Sequence, residues 1–277
     1  MNKMFLSLMV SLAFCIHAQA YKADTIVVRS NVMRKDIKCV VVLPDTYARE
    51  NNKRFPVVYL LHGYGDNYAG WLRHTAHTGE QADATGAIIV CPDGNIGSWY
   101  FDSPVDTTYK YETYVATEVP HYIDAHYRTV NKRSGRAIGG LSMGGHGALF
   151  LAIRHLDTFG AAVSMSGGVD FTPFPQNWDI AKRLGNYEDN KERWEANTAY
   201  TLVNNLENGQ LAISFECGVN DFFIGVNRRL HQRLVDLKID HDYTERPGEH
   251  NWVYWDNAIQ FQMLFLKHFF GRQTEKA

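Results

Sequence analysis

The chain has 277 residues, 45% hydrophobic and 21% charged, with a formal net charge of −2. Those values fit a globular protein of one large domain or two small ones. With no long block of one sign, they give nucleic acid little electrostatic support and an anionic membrane surface none.

The first twenty residues stand apart. They carry one cation (Lys3), an apolar run from Met4 to Ile16, and the ending Ala18-Gln19-Ala20 with small residues two apart. This pattern predicts a secretory signal peptide cleaved after Ala20, too short for stable membrane insertion. A lipid anchor on Cys15 is disfavoured by the bulky Phe14 before it. The expectation is export, to the periplasm or outside the cell, of a domain made from residues 21–277. That domain keeps Cys39, Cys91 and Cys217, all in or beside apolar strand-like runs. Buried thiols are favoured over one disulfide, and with no Cys-x-x-Cys a metal or redox role is not expected.

Along the chain, short β-branched runs alternate with longer amphipathic ones. "TIVVRS" and "KCVVVLP" predict two antiparallel opening strands. "FPVVYLLHG" and "GAIIVCPDG" are nearly continuous apolar runs ending in glycine, suited to strands buried on both faces of a parallel sheet. "YKYETYVATEVPHYIDAHY" reads as a helix despite Pro120, "GRAIGGLS" as a strand, and "GGHGALFLAIRHL" as the helix after it. Further strands fall at "GAAVSMSGG", "LAISFECG" and "HDYTER", with helices at "VNRRLHQRLVDLKI" and "WDNAIQFQMLFLKHFF". Alternation of this kind predicts an α/β single domain, a mostly parallel central sheet with helices on both faces. Residues 171–207 break the pattern. They read as a helical insertion, either a solvated cover or a partial cap near the active site.

The chemistry centres on "GLSMGG". Ser142 stands where a strand turns sharply into a helix, flanked by Gly140 and Gly144. Such a turn exposes the hydroxyl at the top of the sheet, with the helix N-terminus beside any developing negative charge. "SMSGG" at 164–168 also looks glycine-rich, but neither serine has a glycine two residues before it. Ser142 is therefore the predicted nucleophile.

A serine hydroxyl needs a base, usually a histidine oriented by a carboxylate. In hydrolases built on such an elbow the chain order is serine, acid, histidine. Of the histidines that follow Ser142, only His250, in "RPGEHNWVYW", lies in a glycine-containing loop between a strand and the last helix. Asp221, in "ISFECGVNDFF", lies just beyond a strand's carboxyl end, a favoured catalytic position in open α/β sheets. The oxyanion hole is predicted from the backbone N–H groups of Met143 and of Tyr64 in "YLLHGYGD", with His62 shaping that loop.

Trp99 and Tyr100 in "GSWYFDSP" either line the substrate pocket or pack beneath the loop, and Trp252 is a further pocket candidate. The pairs His74/His77 and His121/His126 lack a metal-protease spacing. No cofactor and no metal are expected.

Taken together, "YLLHGYGDN", "GSWYFDSP", "YETYVATEVPHYID", "GLSMGGHGAL", "CGVNDFF" and "GEHNWVYW" resemble, in the same order, the putative-esterase superfamily. That group includes esterase D, the feruloyl and acetylxylan esterases of carbohydrate esterase family one, and mycolyl-transferring acyltransferases. The resemblance covers about Tyr21 to Phe270. It implies the α/β-hydrolase fold, metal-independent hydrolysis through an acyl-enzyme, the triad Ser142, Asp221 and His250, and oxyanion donors at Tyr64 and Met143. It points to small-molecule or oligosaccharide esters as substrates. Acyl transfer to a sugar or lipid alcohol uses the same triad and stays open, as does a general short-chain esterase. A peptidase or a non-catalytic binding protein is disfavoured.

Overall fold

The computed structural model describes residues 21–75 and 77–274, so the predicted signal peptide lies outside them. Eight strands follow in order: β1 Lys22–Ser30, β2 Lys35–Leu43, β3 Val57–Leu61, β4 Ile88–Pro92, β5 Arg136–Leu141, β6 Ala161–Met165, β7 Ala212–Gly218 and β8 Asp242–Arg246. They form a single sheet in the order β1-β2-β4-β3-β5-β6-β7-β8. The first two pairings are antiparallel, and every pairing from β4 to β8 is parallel. From β3 the chain steps to β4 on one side, and from β5 it steps to β6, β7 and β8 on the other. The crevice beyond their carboxyl ends is thus the switch point where ligands bind in such sheets.

Strand β3 shows why this chain makes a sheet with two covered faces. All five of its residues are buried. Val57, Tyr59 and Leu61 enter one core, while Val58 and Leu60 enter the other. The period of two leaves no face for water, hence the unbroken apolar run. Helices Val119–His126, Met143–Arg154 and Ile224–Asp236 supply the first core. Helices His77–Thr85 and Trp252–Thr274 supply the second.

The predicted helix over 109–127 forms as three pieces: a short turn Tyr111–Thr113, a π-turn Tyr114–Glu118, and the helix Val119–His126. Pro120 lacks the N–H that would bond back one turn, and its ring crowds the carbonyl there. Widening the preceding turn accommodates it.

Residues 171–207, between β6 and β7, hold the short helices Ile180–Leu184, Lys191–Ala196 and Ala199–Leu202. Phe171, Ile180, Leu184 and Trp194 are fully buried in the first core. The segment is therefore packed structure rather than a loosely solvated cover. Cys39 and Cys91 lie on adjacent strands but face opposite cores, and all three thiols are unpaired and buried. Burial pushes the Cys91 thiol up to about 12, which keeps it protonated.

Candidate active site

The turn at Ser142 is built from backbone collisions that only glycine avoids. Ser142 itself has φ 55 and ψ −118, an unfavourable conformation for a residue with a Cβ. A Cβ at Gly140 would stand 2.4 Å from the Gly144 carbonyl oxygen, and one at Gly144 would stand 2.5 Å from that of Leu61. Strand and helix can therefore cross only through these two glycines. The strained serine is held at both ends. Its N–H donates to Met165 O (3.0 Å), and its carbonyl accepts from His146 (3.0 Å) and Gly168 (3.2 Å). The "SMSGG" segment thus ends β6 and clamps the elbow from the neighbouring strand.

Ser142, Asp221 and His250 come together from the loops after β5, β7 and β8. Ser142 Oγ lies 2.9 Å from His250 Nε2, and His250 Nδ1 lies 2.8 Å from Asp221 Oδ2. Because a buried carboxylate accepts, Nδ1 carries the proton and donates it, leaving Nε2 to accept from the serine hydroxyl. The Asp221 carboxylate is buried, and its other oxygen accepts the Phe223 N–H at 2.8 Å. The acid thus has both oxygens committed and one orientation.

Two backbone segments beside Ser142 carry N–H groups to be accounted for. Met143 is the first residue of its helix, so its N–H has no acceptor within the helix. The backbone at Gly63 passes so close that a Cβ there would lie 3.4 Å from Ser142 Cβ. Among the described residues, the N–H groups of Gly65 and Asp66 are taken by Ile96 O and Gly63 O, while that of Tyr64 is not. His62 holds this loop as expected. Its Nε2 accepts the Gly94 N–H (2.8 Å), so Nδ1 donates to Gly63 O (2.8 Å). Burial lowers the pKa of this neutral imidazole.

The predicted pocket residues fare differently. Trp99 and Tyr100 do not line an open pocket; both are fully buried beneath their loop. The Tyr100 hydroxyl donates to His62 O (3.0 Å), and its ring fills the space over Gly94 and Gly147. The Trp99 indole N–H donates to Trp178 O (3.0 Å). Apolar rings this large are worth more packed than exposed, which decides between the two readings. Trp252 packs between Trp71, His74 and Trp255, and it is Trp255, not Trp252, that meets the His250 ring, with centroids 4.9 Å apart.

The wall beside His250 comes instead from residues the motifs did not single out. Phe222 is half exposed, with its ring centroid 4.2 Å from that of His250, and it stacks on Trp178 of the insertion. The neighbouring Asp179 accepts the Tyr64 hydroxyl (3.3 Å), joining the insertion to the predicted oxyanion loop. Trp178 and Asp179 both adopt positive φ, 53 and 60. "CGVNDFF" displayed the two phenylalanines; nothing local marked Trp178.

Among the described residues, no group of three or more His, Cys, Asp or Glu is arranged to hold a metal ion. None of the described helices is long and apolar enough to cross a membrane. A groove of about 690 Å³ opens at the opposite end of the sheet, between Arg133, His241, Phe261 and Arg272, and includes none of the three strand-end residues.

A family model described as "Putative esterase" matches residues 30–266. Over 248 residues the chain is 27% identical to an acetyl esterase of Caldicellulosiruptor saccharolyticus, covering 83% of this chain and 92% of that one. It is 30% identical over 244 residues to the diacylglycerol acyltransferase/mycolyltransferase Ag85B of Mycobacterium leprae, covering 72% of each. Among solved structures, a ferulic acid esterase superposes with a TM-score of 0.78 at 29% identity, over 91% of this chain and 99% of that one. The match spans the elbow and every loop that meets at Ser142, and on it the chain belongs to the putative esterase family, as a carboxylic-ester hydrolase with the α/β-hydrolase fold.

Proposed function

We propose that the chain is an exported serine carboxylesterase that cleaves feruloyl or acetyl esters of plant-derived saccharides, with Ser142, His250 and Asp221 as its triad. The single observation that carries the mechanism is the continuous path from Ser142 Oγ through the His250 ring to the Asp221 carboxylate. Ser142 attacks the ester carbonyl while His250 Nε2 takes its proton. The Met143 and Tyr64 N–H groups receive the oxyanion, a contribution worth about 10²–10³ in rate per donor. His250 then protonates the leaving alcohol, water attacks the acyl-enzyme by the same route reversed, and the acid departs. Asp221 keeps the imidazole in its working tautomer and stabilises the imidazolium.

The acyl preference is supported by the aromatic side of the site. Phe222 and Trp178, stacked on each other over the buried Phe223, present rings of the kind on which a planar cinnamoyl group packs. Likeness to a ferulic acid esterase and an acetyl esterase supports the same choice. Export rests on the amino-terminal pattern of residues 1–20. The likeness to an acyltransferase favours one second reading, in which an alcohol in place of water takes the acyl group.

The test is turnover of methyl ferulate, acetylated xylo-oligosaccharide, p-nitrophenyl acetate and p-nitrophenyl butyrate by the protein and by Ser142→Ala. Serine-dependent hydrolysis led by ferulate or acetylated sugar is expected. Hydrolysis that survives Ser142→Ala overturns the mechanism. Faster product formation on adding a sugar alcohol, with ester as product, selects the transfer reading.

A further inference from the structure

Glu216 is the fifth residue of β7 and is completely buried, yet the mechanism above gives its carboxylate nothing to do. A buried carboxylate is costly unless it is paired and hydrogen-bonded. Here Oε2 takes an ion pair from Arg246, the last residue of β8, and a hydrogen bond from Gln262 Nε2 at 3.0 Å, on the final helix. The Tyr254 hydroxyl, also on that helix, lies beside the same carboxylate. Like Glu216 Oε1, it is buried without a partner at hydrogen-bond geometry.

The placement of these partners matters more than their number. Arg246 stands four residues before His250 and Tyr254 four residues after it. Glu216 itself stands five residues before Asp221. The loops above are joined to one another: the Val219 N–H donates to Arg246 O (2.9 Å) and the Asn220 N–H to Gly248 O (3.0 Å). Gly218 and Gly248 touch so closely that a Cβ on Gly218 would lie 2.5 Å from Gly248 O. Gly248, at φ +153, in turn lies against the Tyr254 ring, where a Cβ would come within 2.3 Å. The acid loop and the histidine loop are thus one zippered unit, with Glu216 beneath it and tied to both stems.

We propose that Glu216 is a positioning residue for the His250–Asp221 pair, fixing the stems of both loops through Arg246 and Gln262. An apolar side chain would fill the same volume at lower desolvation cost, so packing alone does not account for a carboxylate at this point. The inference rests on the triad reading above.

The test uses the full chain with Glu216→Gln, which keeps shape and acceptor but removes the charge, and with Arg246→Met at the network's partly exposed end. For each, kcat and KM on p-nitrophenyl acetate are measured beside the melting temperature. The far-downfield proton resonance of His250 Nδ1–H is recorded by NMR. Since a misplacement of about 1 Å can cost about 10² in rate, a fall in kcat of about tenfold or more is expected, with KM within about twofold. The downfield proton should shift or broaden in the folded variants, a change that loss of stability alone does not produce. Native kcat per folded molecule, or an unchanged downfield proton, overturns the proposal whatever happens to the melting temperature. If Glu216→Gln does not fold, Arg246→Met decides by the same readings. Failure of the underlying triad is seen separately, as Ser142→Ala retaining native turnover.

Discussion

Two regions meet at the serine and are held by different means. The elbow, Gly140 to Gly145, is fixed by backbone: glycines that pass within collision distance of carbonyls, and a serine bonded at both its N–H and its C=O. The insertion, residues 171–207, is fixed by side chains. Phe171 and Trp194 pack edge to face, Trp178 stacks on Phe222, and Trp99 reaches across to the Trp178 carbonyl. Backbone constraint leaves a signature within six residues, because only certain residue types tolerate it. Side-chain packing leaves none, because an aromatic ring is equally acceptable in many sequence contexts. On the proposed mechanism, the first region gives the chemistry and the second its surroundings.

The comparison breaks most severely if the strand-end loops do not carry the chemistry. Asp221→Asn keeps the shape of the acid but lets it donate where it must accept, favouring the wrong imidazole tautomer. A loss of about 10⁴ in kcat is expected, with KM little altered, as in other triads of this logic. Steady-state kinetics on p-nitrophenyl acetate measures it, and a loss below about tenfold would remove Asp221 from the role assigned to it.

The next largest effect lies at the joint between the regions. His146, on the elbow helix, donates from Nε2 to Asn197 O of the insertion (2.9 Å) and is completely buried. Burial drives its pKa from 6.5 down to about 4. Above pH 6.5 the imidazole is neutral whether the chain is folded or not, so the full stability is present. As pH falls from 6.5 towards 4, only the unfolded chain takes the proton. The folded state then loses about 1.4 kcal/mol per unit, roughly 3 kcal/mol in all. Urea unfolding at pH 7 and pH 4.5 should show this loss in the native protein and a smaller one in His146→Gln. Equal losses in the two proteins would show that the joint does not titrate.

Legibility followed the same division. Ser142 was readable because Gly-x-Ser-x-Gly stands between a strand and a helix. Asp221 and His250 were readable because strand ends fix which loops reach the crevice. Strands β3 and β4 were visible as unbroken β-branched, apolar runs, since both of their faces are covered. Trp99 and Tyr100 were not decided, because their loop turns inward at positive φ, 53 and 61, and no residue type there announces it. Trp178 and Glu216 were invisible for a related reason. Each acquires its meaning only from partners 44 and 30 residues away, Phe222 and Arg246.

A smaller effect sharpens the account of the elbow. Gly144→Ala places a Cβ 2.5 Å from Leu61 O and 2.6 Å from His62 O, both backbone atoms that cannot swing aside. Overpacking of this kind costs about 1–3 kcal/mol, and relief would push the helix away from β3. Because His62 precedes the predicted oxyanion loop, kcat should fall together with the unfolding free energy. An Ala variant as stable as the native protein would show that the crossing is looser than the backbone distances imply.

The smallest effect belongs to the insertion, and it is one of selectivity. Trp178 stacks on Phe222 with their rings 19° from parallel and their centroids 5.7 Å apart, and Phe222 in turn lies over His250. Trp178→Ala removes one ring of that wall while leaving Ser142, Asp221 and His250 chemically intact. An aromatic pair is worth about 0.5–1.5 kcal/mol beyond its area, so kcat/KM for methyl ferulate should fall about twofold to tenfold more than for p-nitrophenyl acetate. An equal fall for both esters would mean that the ring acts by holding Phe222 against His250, not by meeting the acyl group. Substrate preference would then have to be sought where Tyr64 meets Asp179 and the insertion touches the proposed oxyanion loop.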